Sequence, residues 1–327
     1  MKNKIYGNKT LLSALENMAV TQKTAQTVLF YGEKGCGRKT LADYYCRLLL
    51  CTNLIGGKPC GSCKACHNIE NGVHPDVIFA EKSGKLGGYS VDTAKKICSD
   101  SYIKPNNGDR KIYIFSDCHA MDARTQNTLL KIIEEPPEHA YFIFTSESKS
   151  DFLPTIISRC SCFQVSECSE EECRTALLER GYDQNQIDYA VSCFHGNIGM
   201  CIDLLSEQSL KKTVELTKTL VNSIISSDEY GFAAAVSGLG RDRNEIKQTL
   251  AMLDKQVRDA AVIASGVSTD KIGCYPEGAY RLSEKITASQ AVKIHESINR
   301  AWYGIETNAN AVLILTALCT EIASVCC

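Results

Sequence analysis

No stretch of this 327-residue chain approaches the roughly 18 consecutive apolar residues that a membrane-spanning helix needs. Its opening, Met1-Lys-Asn-Lys-Ile-Tyr-Gly-Asn8, has no apolar run of the kind that a secretory signal requires. Internal repeats and low-complexity tracts are missing, and the seven prolines do not gather into a linker. Charge of one sign is lacking too. With 36 Lys and Arg against 38 Asp and Glu, a net charge of -2 does not advertise a nucleic-acid surface. Any contact with DNA is expected to be local or shared with partners. Cysteine, by contrast, is abundant, with 18 residues. Without a secretory signal, that abundance indicates a soluble protein in a reducing, cytoplasmic setting, where thiols stay free or bind metal. The length suits two or three domains, and 44% apolar residues can build real cores.

Four of the cysteines form the pattern C-x8-C-x2-C-x2-C: Cys51, Cys60, Cys63 and Cys66. Zn²⁺ takes four thiolates tetrahedrally, and a two-residue gap lets a tight turn aim two sulfurs at one ion. Gly56, Gly57, Pro59 and Gly61 supply turns, while Lys58 and Lys64 partly offset the charge of a tetrathiolate site. Such a site is closed to water, so its role is structural rather than that of a Lewis acid. Reduced, metal-free cysteines are the alternative. At a frequency of about 1 cysteine in 18, however, a C-x2-C-x2-C triple arises by chance only about 0.06 times per chain. His67 and His74 lie nearby, but four thiolates suffice without them, which predicts solvated or capping roles.

The cysteines follow a phosphate-loop pattern. Thr27-Val-Leu-Phe-Tyr31 is a short apolar strand, and Lys39 to Leu50 carries a helical apolar pattern through Leu41, Tyr45, Leu48 and Leu49. Between them, Gly32-Glu-Lys-Gly35-Cys-Gly37-Arg38-Lys39-Thr40 departs from G-x-x-x-x-G-K-[ST]. Arg38 stands where the phosphate lysine belongs, and Lys39 where the Mg²⁺ hydroxyl belongs. Alternatively Lys39 and Thr40 form the working pair with one extra loop residue, which swings the amides off the phosphates. Backbone N–H groups at the helix start can cradle an anion in either register, but hydrolysis is not expected.

A second strand, Lys111-Ile-Tyr-Ile-Phe115, runs into Ser116-Asp117, where a Walker B element presents an Asp for Mg²⁺ and then a catalytic Glu. Serine supplies no charge for the ion, and Asp117 is shorter than glutamate. Asp122 is then a plausible N-cap for a helix with Leu129, Leu130 and Ile133 on one face, ended by Pro136-Pro137. A third strand, Ala140 to Thr145, leads to Ser146, and Leu153-Pro-Thr-Ile-Ile is followed by Ser158-Arg159-Cys160.

On these residues the chain resembles the AAA+ clamp-loader subunits of bacterial DNA polymerase III, the delta prime type in particular. The likeness is carried by the degenerate P-loop, the four-cysteine insertion, Asn127-Thr-Leu-Leu-Lys-Ile-Ile-Glu-Glu-Pro-Pro and Ser158-Arg159-Cys160. It extends to Ile5-Tyr-Gly-Asn8 at the start and to Asn308-Ala-Asn310-Ala-Val-Leu-Ile-Leu before the last helix. The resemblance implies that Arg159 is an arginine finger acting in trans on ATP held by a neighbouring motor subunit. Such a finger contributes about 10³ to 10⁵ in rate; the alternative is a structural arginine capping a helix or pairing with a carboxylate. It also implies that Ser146 is a sensor 1 residue, and that Gly199, in Gly196-Asn-Ile-Gly199, replaces the arginine of sensor 2.

The expected architecture is a RecA-like α/β AAA+ P-loop domain with a zinc knuckle (residues 1–165), a small helical lid (166–207) and an all-α collar (208–327). In the collar, Val214, Leu216, Leu220, Val221 and Ile224 mark one helix and Ile246, Leu250, Leu253, Val257 and Ala261 another. The last helix, about Asn310 to Val325, is almost wholly apolar and is expected to be buried, either inside the bundle or against neighbouring subunits. Lys82-Ser-Gly-Lys-Leu-Gly-Gly and Pro105-Asn-Asn-Gly-Asp-Arg read as a polar loop and a turn. The implied function is that of a non-hydrolysing stator in a hetero-pentamer with gamma/tau motor subunits and a delta subunit, loading the sliding clamp on primed DNA. Structural Zn²⁺ is the expected cofactor, and ATP/Mg²⁺ are expected on the neighbour. Two alternatives stay open: an active motor ATPase of the same loader, and a zinc-binding adaptor on a P-loop scaffold.

Overall fold

The computed structural model describes residues 4–84, 87–239, 242–266, 273–307 and 309–326. Lys85 and Leu86 of the polar loop, and Asn308 before the last helix, lie outside these. The chain divides into two compact units, residues 1–172 and 173–327.

The first unit contains five strands, β1 (Thr27–Tyr31), β2 (Val77–Phe79), β3 (Lys111–Phe115), β4 (Ala140–Ser146) and β5 (Ser161–Gln164). All pair in parallel, in the order β2-β3-β4-β1-β5. This is a parallel α/β sheet, as expected. The helices are α1 (Lys9–Val20), α2 (Arg38–Leu50), α3 (Lys64–Glu70), α4 (Val91–Asp100), α5 (Ala123–Glu134) and the single turn α6 (Pro154–Ile157).

A parallel sheet covered on both faces requires strands that are apolar throughout, with successive side chains going to opposite cores. Val28, Phe30, Ile112, Ile114, Tyr141 and Ile143 pack with Leu15, Leu41, Tyr45 and Leu49 of α1 and α2. The intervening Leu29, Tyr113, Phe115, Phe142 and Phe144 pack with Ile97 of α4 and Leu129, Ile132 and Ile133 of α5. Aromatic pairs across β3 and β4 lock the second face: Tyr113 on Phe142 at 5.3 Å and Phe115 on Phe144 at 5.0 Å, both stacked. In α5 the Asp122 carboxylate caps the Thr125 N–H at 2.7 Å. Its buried face is Thr125, Gln126, Leu129, Ile132 and Ile133, with Leu130 only half-buried.

The second unit is helical. It comprises α7 (Glu170–Leu178), which begins in the first unit, α8 (Gln184–Phe194), α9 (Ile198–Ser206), α10 (Gln208–Ser226), α11 (Glu229–Ser237), α12 (Arg243–Ala264), α13 (Pro276–Lys285), α14 (Ala288–Glu306) and α15 (Ala311–Cys326). Leu220, Val221 and Ile224 of α10 share a core with Ile246, Leu250, Leu253 and Val257 of α12 and with α14 and α15. Leu216 and Ala261 sit at its margin. The last helix is covered by its own unit on one face only: Leu315, Leu318 and Ile322 are buried, but Val312 and Leu313 are 68% and 69% exposed. Its composition is apolar all round, yet the unit covers only one side of it.

Candidate functional site

Strand register brings three chain segments together. Tyr31 of β1 lies opposite Ser146 of β4, and Phe115 of β3 opposite Phe144. Gly32, Ser116-Asp117 and Ser146 therefore meet at the carboxyl ends of adjacent strands, where open α/β sheets form their crevices. The Gly32 N–H donates to the Ser146 carbonyl at 3.2 Å. A Cβ on Gly32 would stand 2.2 Å from the Val165 carbonyl oxygen, so only glycine fits. Gly35 and Gly37 have φ of +85° and +98°; Gly37 caps α2, and Arg38 is its first residue. Thr40 is half-buried in the same turn.

The side chains of this loop converge on one carboxylate. Arg38 is 6% exposed, with Nη2 3.5 Å from Asp117 Oδ1 and 3.8 Å from Glu147 Oε1. Its Nη1 is buried and makes no hydrogen bond among the described residues. Lys39 Nζ lies 2.7 Å from Asp117 Oδ2, and Lys82 Nζ lies 4.0 Å from the same oxygen. Asp117 has left-handed backbone, φ +52°, and its N–H donates to Thr145 Oγ1 at 2.9 Å. Burial alone would raise its carboxyl. The hydrogen bond and charge of Lys39, with Arg38 and Lys82, outweigh burial and hold it below the usual carboxylate value. A carboxylate so engaged is poorly placed to ligate Mg²⁺. Ser146, buried at the end of β4, donates its hydroxyl hydrogen to Asp151 Oδ2 at 2.5 Å.

The four predicted cysteines are brought together, with their sulfurs all within 4.8 Å of one another. Tetrahedral zinc with Zn–S of about 2.3 Å needs sulfurs about 3.8 Å apart, so the set fits a metal ion with little adjustment. Cys51 follows α2 as its C-cap, Cys63 caps α3 and Cys66 lies within it, so a bound ion would join the two helices. Backbone N–H groups of Cys60, Cys63 and Cys66 approach the sulfurs of Cys51, Cys60 and Cys63 at 3.3, 3.3 and 3.4 Å. At Cys63 burial works against ionisation, but N–H groups of Cys66 and Thr52 prevail and hold the thiol at about 6. Ile55 and Lys58 close a two-residue hairpin through Gly56 and Gly57, both at positive φ as a primed turn requires. His67 is exposed, and the buried His74 accepts the Asp76 N–H at Nδ1, 3.2 Å.

Arg159 stands elsewhere. It follows α6 and precedes β5, whose first residue pairs with Val28 of β1, whereas the P-loop starts at Gly32. Four residues at about 3.3 Å each put the two features about 13 Å apart along the sheet, at its opposite ends. The side chain is 36% exposed and pairs with Glu134, while Nη1 donates to the Thr155 carbonyl at 2.9 Å and to Ser158 Oγ at 3.1 Å. Cys160 packs against the α5 side of the sheet, and burial pushes its thiol up to about 12.

The DNA polymerase III delta subunit family matches residues 7–169, which span the sheet, the P-loop, the cysteines and Arg159. The match covers about half of the chain, and over that half the chain is similar to the family. DNA polymerase III subunit gamma of Buchnera aphidicola is 26% identical over 265 residues, 77% of this chain and 70% of the relative. DNA polymerase III subunit delta prime of Pseudomonas aeruginosa is 33% identical over 136 residues, 42% of each chain. A solved gamma subunit-related protein from Thermotoga maritima aligns with 95% of this chain and 98% of its own, at 17% identity and a TM-score of 0.46.

Two residues of the matched segment escape sequence reasoning. Gln126 reads as one polar position among others on α5, yet it is buried: its Nε2 donates to the carbonyls of Met121 (2.9 Å) and Asp151 (2.8 Å), and its Oε1 accepts the Leu153 N–H (2.8 Å). Asp76, fully buried, accepts the N–H groups of Asn106 (2.5 Å) and Asn107 (2.7 Å) and so pins the turn before β3. Only a polar residue in an otherwise buried stretch signals either one.

Proposed function

We propose that this chain is a clamp-loader subunit of DNA polymerase III, of the delta prime type, acting as a stator that completes a neighbour's ATPase site. One contrast carries the reading: the P-loop cations are engaged by the chain's own Asp117, while Arg159 lies half-exposed at the other end of the sheet. At that distance Arg159 does not serve its own P-loop, and the N–H groups left over from its contacts with Glu134, Thr155 and Ser158 would meet a nucleotide bound next door. Residues 166–207 would then be the lid and 208–327 the collar through which gamma/tau and delta subunits assemble. Zn²⁺ at Cys51, Cys60, Cys63 and Cys66 would stiffen the segment between α2 and α3 and do no chemistry. Gly32, Gly35, Gly37, Arg38, Lys39 and Thr40 would form a phosphate loop without turnover.

Reconstitution with motor subunits, clamp and primed DNA tests this. Arg159→Ala is expected to lower DNA-stimulated ATPase with assembly intact, and equal rates would refute the finger. The likeness to a gamma subunit over 77% of the chain favours a second reading, an active motor ATPase. Saturable ATP binding by the purified chain, with turnover abolished by changing Arg38 or Lys39, would establish that reading instead.

A further inference from the structure

Arg159 is held by its own chain from two directions. Nη1 donates to the Thr155 carbonyl and the Ser158 hydroxyl, both beside α6, while Nη2 pairs with Glu134 of α5. Glu134 is the last residue of that helix, before Glu135 and the Pro136-Pro137 stop. Carbonyl groups crowd a helix C-terminus, so a carboxylate there is disfavoured unless a cation sits beside it. Arg159 is that cation. The two helices are themselves joined, because Gln126 of α5 bonds the Asp151 carbonyl and the Leu153 N–H just ahead of α6. The guanidinium is thus clamped between fixed elements rather than swinging from a free loop.

We propose that Glu134 is a positioning residue for Arg159. A guanidinium has five N–H groups, and the contacts to Thr155, Ser158 and Glu134 engage three. One on Nη2 and the one on Nε remain, enough for a two-point contact with a phosphoryl group. The carboxylate fixes which N–H groups remain and how they are oriented, which is the preorganisation that transition-state stabilisation needs. The inference rests on Arg159 acting on a neighbour's nucleotide. As an exposed pair, Glu134 and Arg159 contribute little to stability, so a neutral substitution should leave the fold intact.

The reconstituted loader, with clamp and primed DNA, provides the test. Steady-state ATPase is measured for wild type, Glu134→Gln, Glu134→Asp, Arg159→Ala and the double variant Glu134→Gln/Arg159→Ala, with complex formation followed by size-exclusion chromatography. Glu134→Gln should lower kcat by about 10- to 100-fold at unchanged KM and unchanged assembly. Glu134→Asp should restore part of that loss, and Glu134→Gln should have no further effect once Arg159 is alanine. A wild-type kcat for Glu134→Gln, or an undiminished effect in the Arg159→Ala background, overturns the positioning role while the finger stands. If Arg159→Ala itself turns over like wild type, the finger reading falls and the role of Glu134 with it.

Discussion

The Lys39 ammonium lies 2.7 Å from the Asp117 carboxylate, bringing the first turn of α2 against the segment that follows β3. In a working P-loop these cations face phosphate; here an internal anion already meets them. Because Asp117 is held below the ordinary carboxylate value, it stays charged throughout the neutral range and competes with any incoming phosphate. Asp117→Asn keeps the side chain's shape and removes the competing charge. Titration calorimetry with ATP in the presence of a chelator should show tighter binding by the variant, by about tenfold, or about 1.4 kcal/mol. Identical affinities would mean that Asp117 does not guard the loop.

A second ion pair contributes to acid stability. Lys111, 3% exposed at the start of β3, places Nζ 2.8 Å from Asp100 Oδ2, and the Tyr113 hydroxyl donates to the same oxygen at 2.8 Å. Burial would raise the Asp100 carboxyl, but the hydrogen bonds from Lys111 and Tyr113 and the charge of Lys111 prevail and lower it. A carboxylate with a lowered folded-state value stabilises the protein above its unfolded value, about 3.9, and loses that contribution as pH falls through the folded value. Urea midpoints should therefore drop between neutral pH and pH below about 4, and Asp100→Asn should be less stable at pH 7 with a shallower acid limb. A variant as acid-sensitive as the wild type would place the titration elsewhere.

Metal removal should act locally. The Cys51–Cys66 segment has turns and a single β-bridge but little core of its own, with Cys66 and Ile69 its buried residues near α3. Structural zinc contributes about 10 to 16 kcal/mol in small zinc peptides, ample to order such a segment. Elemental analysis should find one zinc per chain. A strong chelator or Cys63→Ser should release it, raising amide exchange across 51–70 and the last turn of α2, while the sheet stays protected. Unchanged exchange after chelation would show that the cysteines hold the segment unaided.

The parts of the fold that were legible in the sequence are those whose local signals agree with tertiary packing. α5 announced itself through an N-cap aspartate, an apolar face and a proline stop, and β1, β3 and β4 through unbroken apolar runs of four or five residues. β2 and β5 gave no such signal. They have three and four residues, lie at the sheet's edges and include an exposed Phe79 and Gln164, so neighbouring strands rather than their own pattern create them. At the site, spacing alone gathered the four cysteines, because ligand geometry is local. The convergence of Lys39 and Lys82 on Asp117, from three separate segments, is set by strand order, which no local pattern encodes.

Gln126 illustrates the same limit and has a measurable consequence. Its amide serves two carbonyls and one N–H that bind the α5 side of the sheet to the segment leading into α6 and Arg159. Gln126→Ala would strand the Leu153 N–H, the buried Met121 carbonyl and the part-buried Asp151 carbonyl at about 1 to 3 kcal/mol for each unsatisfied group that water cannot reach. Gln126→Glu is the sharper probe, since it keeps the acceptor for Leu153 and replaces the donor with an acceptor facing two carbonyls. Both variants should lower the urea midpoint, with Gln126→Glu recovering at acid pH as its carboxyl gains a proton and can donate again. If Gln126→Glu shows no such recovery, the donor half of the amide is not what joins the two segments.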